Sequence, residues 1–174
     1  MLAKQSGQLG VTLVELIVTI LIAAILAGIA VPSFSGWLQS LKVRAATESV
    51  LGGMQIARSE ALRRNTSVQF VLGTGAAWTV GCVTTTVDCP ANIQASAAGE
   101  GGNGGVTLTA TPDGATTLIF NNFGSIVASG ASITQLDLDI APMGQGRNLR
   151  ITASAGGAVR MCDPNKTAPD PRAC

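Results

Sequence analysis

The sequence predicts an α+β protein: one long N-terminal α-helix, its first half membrane-spanning, packed on an antiparallel β-sheet. Three observations predict it. An apolar run fills residues 11–31, hydrophobic spacings of three and four follow to residue 65, and alternating apolar and polar segments take over from there. A helical period at the start and a period of two afterwards place the helix first and the strands after it, which is the α+β pattern.

Residues 1–10, "MLAKQSGQLG", are short and polar and carry Lys4. Residues 11–34 follow, and from Leu16 to Val31 their only polar side chain is that of Thr19. As a helix, Val11 to Val31 covers roughly 31 Å, about one bilayer core. Glu15 sits inside this run. A carboxylate in lipid costs at least ~2.5 kcal/mol, so something must offset it. A secretory signal peptide cut after Ala30, or a plain signal anchor, leaves Glu15 without a purpose. Removal of the leader between Gly10 and Val11 gives it one. The new terminus is an amine protonated at neutral pH, about one helical turn from Glu15. When such helices bundle, the amine of one copy and the Glu15 of the next neutralise each other where the dielectric is low.

Residues 35–65 continue the helix as an amphipathic stretch. Ala46, Val50, Met54, Ala57 and Ala61 recur at three- and four-residue spacing and form one apolar stripe. Pro32 is expected to kink the helix without ending it, and Gly52-Gly53 to be a second soft point. Arg63, Arg64 and Asn65 read as a C-terminal cap, where cations meet the negative end of the helix dipole; the alternative is a basic surface for DNA or lipid.

Residues 66–174 form the β region. "SVQFVL" and "AWTVGCV" flank Gly73-Thr74-Gly75 as a hairpin, and "TTLIFNN" and "ITQLDLDI" are further strands. The last of these sets Ile133, Leu136, Leu138 and Ile140 against polar neighbours. "LRITAS" and "AVRMC" flank Gly156-Gly157 as a final hairpin.

The chain has 174 residues, a net charge of +1 and no histidine. The near-neutral balance favours neither nucleic acid nor acidic substrates, and the absence of His removes the usual general base. No nucleophile–base pair is visible, so the expectation is no enzyme and no cofactor. "GEGGNG", Gly99 to Gly104, spells a dinucleotide fingerprint without its strand–turn–helix setting and reads as a loop. "NTS" at Asn65 and "NKT" at Asn165 match a glycosylation sequon that is short enough to arise by chance.

Cys82, Cys89, Cys162 and Cys174 lack the close spacing of a zinc site, so no metal is expected. Four cysteines suit an oxidising compartment and allow three pairings. Cys82–Cys89 with Cys162–Cys174 is the simplest, because each closes a short loop of turn-forming residues.

Gly10, then "VTLVEL", then the apolar helix and Pro32, resembles a type IV prepilin, with Val11 where that family usually has Phe. "MQIARSEALRRNTSVQF", "AWTVGC" and "LRITASAGGAVRMC" are similar to the GspH/FimT group of minor pilins and pseudopilins. The resemblance implies a type IV pilin fold. It implies cleavage between Gly10 and Val11 and N-methylation of Val11 by a prepilin peptidase/N-methyltransferase. Assembly with other pilin or pseudopilin subunits would run through the N-terminal helix, with Glu15 and Pro32 as its assembly residues. It implies a single-pass inner-membrane protein with its C-terminal domain in the periplasm, which then joins a filament. "CDPNKTAPDPRAC" resembles the disulfide-bounded C-terminal loop of many pilins.

Within that group the implied role is a low-abundance pilus subunit that incorporates into, primes or caps the filament. The alternatives are a type II secretion pseudopilin at the pseudopilus tip, and a DNA-binding minor pilin of natural transformation. For DNA the candidates are Arg147, Arg150, Arg160, Lys166 and Arg172, set against Asp163 and Asp170. The DNA motif of the group, G-R-x-R, corresponds here to "GAVR", with Ala158 in place of the first Arg.

Overall fold

Leu13–Arg64 forms α1, a single helix assigned across Pro32, Gly52 and Gly53. The computed structural model describes residues 12–100, 105–128, 130–140 and 148–174, without the side chains of 29–33. Gly10, Val11 and Arg147, most of the "GEGGNG" loop, and the side chain of Pro32 therefore lie outside the described residues. Internal contacts divide the chain into two units, Met1–Gly36 and Trp37–Cys174.

In the first unit, described from residue 12, the helix carries apolar side chains on every face. Leu13, Val14, Leu16, Ile17, Ile20, Leu21, Ile25 and Leu26 are all exposed. A helix apolar all round is stable only when lipid or other protein surrounds it. Among the described residues no helix is long and apolar enough to cross a membrane. The apolar sequence continues through residues 29–32, whose side chains are not described.

In the second unit one stripe of α1 is fully buried: Val43, Ala46, Val50, Met54, Ala57 and Ala61. Thr47 lies in the same stripe, and its hydroxyl is satisfied by donating to the Val43 carbonyl at 2.7 Å. The expected soft point at Gly52-Gly53 is instead a place of tight packing. A Cβ on Gly53 would come within 2.8 Å of Trp78 and 2.9 Å of Phe70, so the missing side chain is what lets the aromatic strands approach the helix. The Trp78 indole then donates to the Ser49 hydroxyl at 3.0 Å.

The helix ends in a Schellman turn. Asn65 takes a left-handed φ of 51°, and the Thr66 amide donates to the Ala61 carbonyl at 3.2 Å, which satisfies an otherwise orphaned acceptor.

Eight strands follow: β1 (Val68–Leu72), β2 (Trp78–Cys82), β3 (Gln94–Ser96), β4 (Val106–Thr111), β5 (Thr117–Phe120), β6 (Gln135–Ile140), β7 (Leu149–Ala153) and β8 (Val159–Cys162). They form two four-stranded antiparallel sheets, ordered β3-β2-β1-β5 and β4-β6-β7-β8, where the sequence suggested a single one. The β1–β2 connection contains a short 3-10 turn, Thr74–Ala76. Alternation does the sorting. Val68 and Phe70 of β1, Leu118 and Phe120 of β5, and Leu136, Leu138 and Ile140 of β6 are buried, with Ile133 just before β6. These side chains join the helix stripe in one hydrophobic core shared by both sheets. β3 is short and solvent-facing, and β4 follows a glycine-rich stretch, so neither carries a strong sequence signal.

Candidate functional site

At the start of α1, Thr12 and Glu15 are coupled locally. The Glu15 amide donates to the Thr12 hydroxyl at 3.3 Å, the arrangement of a capping box T-x-x-E. Glu15 is the acid of the first turn, where a negative charge suits the helix dipole. The spacing Thr12-x-x-Glu15 is legible in sequence, and it gives the acid a local role at the start of the helix.

The other end of α1 holds its cations on one carboxylate. Glu60 accepts from Arg63 at 2.6 Å and from Arg64 at 2.6 Å. The Arg63 hydrogen bond, followed by that of Arg64, holds the Glu60 carboxyl below the usual range against the opposing effect of burial. Arg64 also donates through Nη1 to the Asp88 carbonyl, tying the helix end to the loop closed by the Cys82–Cys89 disulfide. The cap reading describes these arginines; they do not form an open basic surface.

Cys162 and Cys174 are joined by the second disulfide, with Cα atoms 5.1 Å apart. The loop between them has no apolar core and is held by polar contacts. The Asp163 amide donates to the Arg172 carbonyl at 2.7 Å, and Asp163 and Ala173 form a parallel bridge. The Asp163 carboxylate accepts from the Asn165 amide at 2.9 Å and is buried, a feature that sequence reasoning missed. Arg172 grips Asp170 through Nε at 3.1 Å and Nη2 at 2.9 Å. That guanidinium lowers the Asp170 carboxyl to about 2.

Among the described residues, two of the basic candidates are already paired with carboxylates. Arg150 on β7 is held bidentately by Asp137 on the neighbouring β6, at 2.6 and 3.1 Å. Arg172 is held by Asp170. Arg160 is exposed on β8, opposite Thr152, and Lys166 is half-buried in the C-terminal loop. The loop thus sets Lys166 and Arg172 against Asp163 and Asp170, a balanced group. Sequence counted these cations but could not see their partners, because Asp137 and Arg150 become neighbours only through strand pairing.

The "GAVR" stretch begins at the β7–β8 turn. Arg58 of α1 donates to the Gly124 carbonyl at 3.1 Å, and Gly157 packs against that same carbonyl. The helix, the loop after β5 and the last hairpin meet there.

A helix apolar on every face at its start, with an antiparallel β body packed along its later part, defines the class of pilin-like filament subunits. The chain belongs to the family described as type II transport protein GspH, whose profile matches residues 46–157, and the prokaryotic N-terminal methylation motif matches residues 5–31. No curated protein sequence matches it. In structure it is similar to the type IV minor pilin FimU of Pseudomonas aeruginosa, with a TM-score of 0.57 and 15% identity over 71% of this chain and 90% of that one. It is also similar to the minor pseudopilin EpsH of the Vibrio cholerae type 2 secretion system, with a TM-score of 0.50 and 16% identity over 73% of this chain and 99% of that one. At such identities these likenesses establish the fold, α+β with a long N-terminal helix packed on antiparallel sheets.

Proposed function

We propose that this protein is a minor type IV pilin, a low-abundance structural subunit that enters a bacterial pilus filament. It is made with a leader of residues 1–10. A membrane prepilin peptidase cuts it between Gly10 and Val11, and Val11 is N-methylated. Before assembly residues 11–34 anchor it in the inner membrane, with residues 66–174 in the periplasm. Residues 35–65 carry the helix from one to the other, with Pro32 near the join. In the filament Glu15 of one subunit neutralises the terminal amine of its neighbour. The role is structural and involves no catalysis.

The observation that carries the pilus over the secretion reading is the C-terminal loop closed by Cys162–Cys174. It is a covalent staple on a segment that has no core of its own. The pseudopilin reading uses the same helix and the same assembly chemistry. The DNA-uptake reading draws less support, because Arg150 and Arg172 are engaged by Asp137 and Asp170. Immunoblotting of sheared surface filaments tests the proposal. The protein is expected in the sheared fraction of piliated cells. Its absence there, together with a secretion defect on deletion, supports the pseudopilin.

A further inference from the structure

The two sheets have four edges, and three of them are protected. Along the outer side of β5, Phe120 bridges to Ile126 and Thr117 to Ser132. The Val127 and Ile133 amides donate there to the Ile119 and Thr117 carbonyls at 2.9 and 3.1 Å. β3 is only three residues long. β8 has four residues, carries the exposed cation Arg160 and runs into the disulfide-bounded loop. Short strands, charges and covering segments are the usual ways of keeping an edge from pairing.

β4, at the edge of the second sheet, has none of them. Its sequence "VTLTAT" is six residues without a charge or a proline. Its register with β6 is unbroken, from Val106 opposite Ile140 to Thr111 opposite Gln135, so no bulge turns the edge aside. Among the described residues, the Thr134 amide donates to the Thr111 carbonyl at 2.8 Å, and no other backbone bond reaches β4 from outside the sheet. A groove of about 690 Å³ follows this edge. Val106 to Ala110 line it one after another, so residues of both faces border it. The rest of its lining is Leu72 to Gly75, at the end of β1 in the other sheet, and the Asp113–Thr116 turn that links β4 to β5.

The edge itself selects the occupant. A row of free amides and carbonyls at strand spacing is matched by extended backbone, whereas a helix bonds its own backbone and cannot meet them. Chain from the other sheet borders the groove on its second side, so it admits one strand laid lengthwise and not the edge of another whole sheet. Leu108 and Ala110 are only partly buried on the inward side, and Thr107 and Thr109 are exposed on the other. An added strand of alternating apolar and polar residues continues both rows. Asp113 lines the groove and takes part in none of the ion pairs among the described residues, so a basic residue suits the end beside it. We propose that the edge of β4 takes up an extended segment of a partner protein as a fifth strand of its sheet, with apolar residues beside Leu108 and Ala110 and a cation beside Asp113.

The test is amide hydrogen exchange, read residue by residue by NMR, on the full chain in mild detergent. The probe is a capped synthetic peptide, Lys-Val-Thr-Val-Thr-Val-Lys, basic at both ends so that either strand direction is served. In the chain alone the β4 amides that point away from β6 should exchange fast, and saturating peptide should slow them at least about tenfold. The same peptide with proline for its central valine cannot hold a ladder and should protect nothing. Thr74→Trp, at an exposed position lining the groove, should weaken peptide binding about tenfold and leave the unfolding midpoint unchanged. Asp113→Asn should weaken it about two- to fivefold. No protection at millimolar peptide, equal protection by the proline peptide, or unchanged binding in Thr74→Trp overturns the proposal. Outward amides that are already slow in the dilute chain show an edge closed by the chain itself, and amides that slow only as the chain is concentrated show a second copy on it; either result overturns the proposal too.

Discussion

Gly157 lies so close to Gly124 that a Cβ on Gly157 would fall 1.7 Å from the Gly124 carbonyl oxygen. Gly157 also takes a φ of +81°, a region that L side chains rarely adopt. Two independent demands therefore meet at one residue, the turn of the last hairpin and its approach to the loop after β5. Gly157→Ala should destabilise the folded unit by at least about 2 kcal/mol, from left-handed strain plus the clash. Gly156→Ala, next to it, meets nothing within 4 Å and should be near neutral. Thermal unfolding of the full chain in detergent, followed by near-UV circular dichroism, distinguishes them. Equal midpoints would refute the packing argument.

The two disulfides close loops with sequence separations of 7 and 12. By loop-closure entropy each contributes about 2–3 kcal/mol, the longer slightly more. Paired serine substitutions at Cys162 and Cys174 should lower the denaturation midpoint and expose the segment between them to protease. The same change at Cys82 and Cys89 should loosen the contact between Arg64 and Asp88.

Asp170 is held at about 2 by Arg172, below its ordinary 3.8. A depressed carboxyl contributes stability that is present above the unfolded value and is lost as pH falls through the folded one. The C-terminal loop should therefore keep this contact at neutral pH and lose it between roughly pH 4 and pH 2. Carboxyl-carbon NMR titration should give Asp170 a midpoint near 2. In Arg172→Gln the midpoint should return towards the ordinary aspartate value.

Processing is checked by intact mass. The mature protein should begin at Val11 and carry one added methyl group. A start at Val31 would indicate an ordinary signal peptide and remove the pilin reading. Gly10 replaced by a bulky residue should leave uncleaved precursor in the membrane.

Glu15→Ala should be cleaved normally and keep its folded β unit, since residue 15 belongs to the other unit of the chain. It should be depleted from sheared filaments and accumulate in the inner membrane, because the neighbouring amine loses its counter-charge. Glu15→Gln should sit closer to Ala than to wild type, since a neutral amide cannot balance that charge. Filament entry of Glu15→Ala at the wild-type level would remove the acid from the assembly scheme.

Local rules made much of this protein legible from its residues alone. The buried stripe from Ala46 to Ala61 follows from spacings of three and four, and the inward Leu136, Leu138 and Ile140 from strict alternation. The hairpin at Gly156-Gly157 shows in a short span, and so does the economy of pairing each cysteine with its near neighbour. Tertiary structure decided what depends on distant residues. Gly53 read as a soft point until Trp78 packed on it, and the two sheets came from pairings across long stretches of chain. Arg150 counted as a free cation until strand register set it beside Asp137, and Arg58 reached the Gly124 carbonyl across a separation of 66 residues. Periodicity and capping act within a few residues, where backbone geometry alone sets the neighbours. Close packing, ion pairing and the burial of Asp163 depend on which distant surfaces meet, and only the assembled core specifies that.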